Sequence, residues 1–171
     1  MGAIIYETGG ILVDNGWLRI LGSGNEKLDR TIPNWNKGKT FNEYGEKPSL
    51  LLIADDIVGG FFAINGGALG QDLGMVYYFA PDSLNWEPMD IGYSDFIWWA
   101  FTGNLEDYYE NVRWKDWKEE ISELNGNQGI FFYPFLWTKH KNIKELSRKA
   151  VPIMEIWTLQ QEIVKQLNER E

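Results

Sequence analysis

A chain of 171 residues is long enough for one domain with a full core, and nine Trp within a 15% aromatic share supply the apolar surface to build it, which excludes disorder. The absence of cysteine excludes disulfides, thiolate metal sites, iron–sulfur clusters and thiol catalysis together. A formal charge of −9 argues against nucleic acid as a partner, because phosphate binding needs a basic footprint.

From the N-terminus, Gly2-Ala-Ile-Ile-Tyr6 reads as strand, with no basic leader that would mark a signal peptide. Ile11-Leu-Val13 and Trp17-Leu-Arg-Ile-Leu21 follow, joined by Asp14-Asn-Gly16, a turn whose residues tolerate positive φ. Residues 25–48 are polar and rich in Gly, Asn and Pro, and are predicted to be a long irregular stretch pinned by Trp35, Phe41 and Tyr44. Leu50-Leu-Leu-Ile53 is a continuous apolar run suited to a buried strand, which Asp55-Asp56 is expected to break. Apolar runs of this size fall far short of the roughly 20 residues of a membrane span. Val58–Ile64 and Met75–Phe79 are further strands, and Leu84-Asn-Trp86 a short fourth, which together predict an antiparallel meander.

Helices then take over. Ser94 is placed to cap a helix that Gly103 stops, and Asn104 to cap a second one starting at Leu105, with a break near Arg113. Ile130-Phe-Phe-Tyr133 reads as strand before Pro134, and Pro152 suits the first turn of a final helix. Strands first and helices afterwards predict an α+β fold: a twisted, mostly antiparallel sheet with helices packed on it and a helix-rich C-terminal half. Neither a repeat nor a linker divides the chain, so residues 1–171 are read as a single domain.

Motifs for chemistry are scarce. His140 is the one histidine, and no histidine pairing or EF-hand loop accompanies it, so no metal and no cofactor are expected. Gly22-Ser-Gly24 lacks the glycine spacing of a dinucleotide turn or a nucleophile elbow, and no Walker sequence occurs. Gly9-Gly10, Gly59-Gly60 and Gly66-Gly67 are read as turns or sites of close backbone approach. Asp55-Asp56 is the one carboxylate pair that invites an enzymatic reading: an acid held in a dry pocket has a raised pKa and serves as a general acid. A ligand pocket would then gather Glu7, Arg19, Asp55 and Asp56, with Trp99 gripping the ligand; the plainer reading is that the pair solvates a turn. Adjacent indoles on a helix point about 100° apart, so Trp98 and Trp99 are both buried only if the helix is packed on two sides, and an exposed one would suit an interface. Lys139, Lys141, Lys144, Arg148 and Lys149 form a basic stretch, read as a solvated loop or helix face, or as a dock for an anionic partner. The acids from Glu106 to Glu123 line the wet faces of helices, or form a surface for a basic partner.

Several long motifs carry a resemblance. Tyr6-Glu-Thr-Gly-Gly-Ile-Leu-Val13, Gly16–Gly24, Ala54–Ala68, Tyr77–Asp82, Gly92–Phe96 and Phe132–Trp137 together resemble an uncharacterised bacterial family, domain-of-unknown-function family 2625. The resemblance implies that relatives carry a further N-terminal segment that this chain lacks. A broader similarity, on Val58–Ile64, Met75–Phe79 and Tyr93-Ser-Asp-Phe96, is to the SUKH superfamily. That similarity implies a twisted sheet with packed helices and a non-enzymatic protein-binding role, often as an immunity protein against a toxin. A basic toxin would suit the acidic chain, and no catalytic residue is implied. The chain is expected to be soluble and cytoplasmic, with neither membrane nor nucleic acid as partner. Its rival readings are a small enzyme or small-molecule binder at the carboxylate pair, and an oligomeric structural module.

Overall fold

The computed structural model describes residues 6–139 and 142–169. The predicted strand at residues 2–6 lies outside the described residues except for Tyr6, which is helical together with Glu7 and Thr8. Six strands form one antiparallel sheet whose spatial order is the chain order: β1 (Gly10–Val13), β2 (Leu18–Leu21), β3 (Leu50–Asp56), β4 (Phe61–Asn65), β5 (Met75–Phe79) and β6 (Trp86–Gly92). A short helix, α1 (Ile32–Asn36), interrupts the long β2–β3 connection. After the sheet come α2 (Tyr93–Thr102), α3 (Leu105–Tyr108), α4 (Trp117–Ile121), β7 (Gln128–Tyr133), β8 (Ser147–Pro152) and α5 (Ile153–Asn168). The architecture is therefore α+β, with a second, two-stranded antiparallel sheet made by β7 and β8.

Local chemistry explains the ends of these elements. The β1–β2 turn puts Asp14, Asn15 and Gly16 at φ of 48°, 57° and 85°, values that these short polar residues and glycine accept most readily. Thr31 caps α1 by accepting from the Asn34 N–H, and Asn104 caps α3 by accepting from the Asp107 N–H. Gly103 ends α2 as predicted, although Gly92 and not Ser94 holds the N-cap position. Of the three aromatics expected to pin residues 25–48, Trp35 is buried in the core, whereas Tyr44 is exposed and meets Asn34, Lys37 and Phe41 of its own segment.

Both faces of the large sheet are covered. On one face Leu18, Ile20, Phe62, Val76 and Tyr78 meet Phe96, Ile97 and Ala100 of α2. On the other, Leu52, Phe61, Ala63 and Phe79 meet Ile32 and Trp35 of α1 and Ile153 and Ile156 of α5. Strand β4 supplies the two faces alternately, Phe61 and Ala63 against Phe62, as the period of two requires. An irregularity between Leu52 and Ala54 shifts the phase of β3, so that Ala54 faces α2 and Asp55 the opposite side. A third cluster closes the end of the sheet, where the Trp17 ring packs against Tyr109, Trp114 and Trp117 at centroid distances of 5.4, 5.9 and 4.9 Å.

Two expectations are corrected. Asp55 and Asp56 do not break β3; they are its last two residues and are fully buried. Arg148 and Lys149 lie in strand β8, not in a loop or helix, because Ser147–Pro152 pairs residue for residue with Gln128–Tyr133.

Candidate functional site

Arg19, Asp55 and Asp56 come together, and Glu7 does not join them. Arg19 and Asp55 are register partners across β2 and β3, which sets their side chains on the same face. The Arg19 Nε–H donates to Asp55 Oδ1 at 2.6 Å, and Arg30 reaches the same carboxylate at 2.5 Å through Nη1. Both guanidiniums then donate to main-chain carbonyls of the β7 approach, Arg19 to Gln128 and Arg30 to Gly126, each at 2.7 Å. Asp55 is thus the centre of a buried clamp between the sheet and residues 126–128. Burial pushes the Arg19 pKa down from its ordinary value, and the Asp55 charge opposes that shift.

Asp56 points to the other side of the sheet. Its Oδ1 accepts from the N–H groups of Val58 at 3.1 Å and Gly60 at 2.7 Å, and its Oδ2 from the Tyr78 hydroxyl at 2.7 Å. The Tyr109 hydroxyl is buried near the same carboxylate but makes no hydrogen bond to it. Burial raises the pKa of Asp56, while the bonds from Tyr78 and Gly60 hold it back. Burial likewise drives the Tyr78 and Tyr109 phenols well up, so both stay protonated. The glycine at position 60 is required by space: a Cβ there would run into Asp56 Oδ2 and the Tyr78 hydroxyl. Neither Arg19 nor either aspartate presents surface to solvent, and Glu7 stands exposed on the helical turn at residues 6–8. The arrangement joins elements; it does not offer a carboxyl to a ligand.

The surface carries a different signal. Between Lys47 and Arg113 the sequence has no Lys, Arg or His and ten Asp or Glu. Two of the ten are the buried pair; Asp72, Asp82, Glu87, Asp90, Asp95, Glu106, Asp107 and Glu110 are all exposed. Within this anionic region, α2 and α3 leave large aromatics in water: Trp98 is 70% exposed, Phe101 57% and Tyr108 40%. Trp98 and Phe101 are three residues apart and share the outer face of α2. Trp99 turns inward, half-buried against Phe62, Phe96 and Tyr108. Beside it, Tyr78, Glu87, Pro88, Met89, Ile91, Trp99 and Tyr108 line a groove of about 340 Å³. The run of residues without a cation was the signal available in the sequence; the exposure of Trp98 rather than Trp99 was not.

Elsewhere the basic stretch is partly neutralised. Arg148 makes two bonds to the Glu120 carboxylate, at 2.6 and 2.7 Å, and covers the Trp114 ring. That pairing holds the Glu120 carboxyl below its usual range. His140 and Lys141 lie outside the described residues. A larger cleft of about 780 Å³ separates α2–α3 from α4, with Arg113 on its wall stacked over Trp17 and Trp117 and paired to Asp14. Among the described residues, no three acids or histidines are placed to hold a metal ion, and no helix is long and apolar enough to cross a membrane.

Residues 1–156 match the model of a family described as "Protein of unknown function DUF2625". The chain belongs to that family. It is 46% identical over 160 residues to the uncharacterized protein YbfG of Escherichia coli (strain K12), an alignment that covers 94% of this chain and 71% of the relative. It is 49% identical over 136 residues to an uncharacterized protein of Haemophilus influenzae, covering 80% of this chain and 60% of that relative. No solved structure matches the DUF2625 chain.

Proposed function

We propose that this DUF2625 chain is a non-enzymatic protein-binding domain that engages a basic protein through the exposed aromatics Trp98, Phe101 and Tyr108 of α2 and α3. The observation that carries the reading is the coincidence of three exposed aromatics with a sequence region that has ten acids and no cation. Indoles and phenols left in water are the residue types that dominate interface energetics. Uncompensated surface acids both steer a cationic partner in and repel acidic ones. A SUKH-type immunity protein, acting in the cytoplasm against a basic toxin, is the specific form this reading takes; the order of motifs on β4, β5 and α2 supports it.

The rival, a carboxylate-lined ligand pocket, draws less support. Three of its four polar residues are fully buried and bonded to protein groups, and Glu7 stands apart. The test is binding to the protein products of neighbouring genes, scored by affinity and by partner charge. A Trp98→Ser, Phe101→Ser double variant is expected to lose at least about tenfold in affinity, since two hot-spot truncations each cost about 1–2 kcal/mol. Its melting temperature should stay close to that of the parent. A partner held equally well by the double variant, or one that is acidic, would overturn the proposal.

A further inference from the structure

We infer that the groove beside the exposed face is the seat of one cationic side chain, an arginine or lysine of the partner. The inference rests on the protein-binding reading and adds the chemistry of a particular subsite. Three rings wall the groove. Trp99 and Tyr108 stand 4.9 Å apart at 74°, and Tyr78 and Tyr108 5.8 Å apart at 61°. These edge-to-face contacts pack the rings into one aromatic wall along the groove, and such a wall attracts a cation through the ring quadrupole. Pro88, Met89 and Ile91 of β6 provide an apolar wall along which a long methylene stem can lie.

Charge points the same way. Glu87 is exposed on the groove lip, and burial drives the Tyr108 phenol well up from its ordinary value, with the negative charges of Glu87 and Asp82 acting in the same direction. Behind Tyr78 lies Asp56, whose carboxyl accepts from the Tyr78 hydroxyl and fixes that ring in the wall. Other aromatic groups in this chain already hold cations of their own. Arg113 lies over Trp17 and Trp117 at 4.7 and 4.2 Å, and Arg30 and Lys39 lie over Trp35 at 4.5 and 4.0 Å. Among the described residues, no cation lies over Tyr78, Trp99 or Tyr108, although this ring cluster sits among acids. A rim carboxylate, an aromatic wall and an apolar stem channel without an internal cation suit a partner's guanidinium or ammonium group better than an apolar or acidic side chain.

A blocked pentapeptide, Gly-Gly-Arg-Gly-Gly, tests the site against its citrulline counterpart, which keeps the shape and loses the charge. Nuclear magnetic resonance of the intact chain would follow the Trp99 indole N–H. The arginine peptide is expected to move that signal saturably, and the citrulline peptide at least about threefold less tightly. Glu87→Gln, on an exposed side chain, should weaken the arginine peptide by a similar factor without changing the melting temperature. No movement of the Trp99 signal, or an equal response to both peptides, would overturn the subsite. The two readings fail separately. Peptide binding without any protein partner leaves the subsite standing and removes the larger role. A partner lost by Trp98→Ser, Phe101→Ser yet indifferent to Glu87→Gln, with no peptide response, keeps the face and removes the subsite.

Discussion

Asp55 accepts from two guanidinium groups, whereas Asp56 beside it accepts from a phenol and two amides. The alternation of a strand sends these neighbours to opposite faces of the sheet, so they have different physical roles. Replacing Asp55 by Asn leaves Arg19 and Arg30 buried with their shared counter-charge removed. The expected loss is about 3–5 kcal/mol, measured by denaturant unfolding. Asp56→Asn keeps an acceptor for the two amides and a polar group for Tyr78 while removing a charge that burial disfavours, so it should cost far less. The pH dependence separates the two further. The folded pKa of Asp56 is raised above the ordinary 3.8, so the fold prefers the protonated form. Its stabilising contribution is complete below the unfolded value and is lost as pH rises from there through the folded value. Thermal melts of parent and Asp56→Asn, taken upward from pH near 3.8, should therefore show the parent falling steadily behind. A constant gap would mean that Asp56 is ionised at no cost in the fold. The sequence made Asp55-Asp56 conspicuous, but its meaning depends on Arg19, 36 residues away, and on Tyr78, 22 residues away.

At the scale of elements, what was legible was what neighbouring residues decide. The Asp14-Asn15-Gly16 turn, the Asn104 cap and the Gly103 stop are set within a few positions by backbone sterics and side-chain reach. Thr31→Ala removes the acceptor for the Asn34 N–H and should cost about 1 kcal/mol in stability, read from the urea midpoint. Gly60→Ala tests a longer-range demand. A methyl there displaces the Asp56–Tyr78 pair, with an expected cost of about 1–3 kcal/mol. Strand β8 was not legible, because Ser147-Arg-Lys-Ala-Val-Pro152 shows little apolar alternation and becomes strand only by pairing with β7. Similarly, β3 runs on through two acids because partners brought by β2, β4 and β5 neutralise or bond them.

For the whole molecule, the relevant quantity is where the −9 charge lies. The cations sit in the first 47 residues and from Arg113 onward, so every charged residue that β3 to α3 contribute is an acid. Association with a basic partner should therefore slow about tenfold or more between low salt and about 0.5 M salt, as seen by stopped-flow mixing. Dissociation, governed by the aromatics, should change much less. By itself the sequence determined the α+β class, the meander and its turns, the family, and the lack of thiol chemistry, since composition, local sterics and motif matches settle these. Only the tertiary structure decided which acids are buried and which of two adjacent indoles faces water. Both depend on what distant segments pack against a side chain: α2 rests on the sheet with one face only, which shelters Trp99 and leaves Trp98 in solvent.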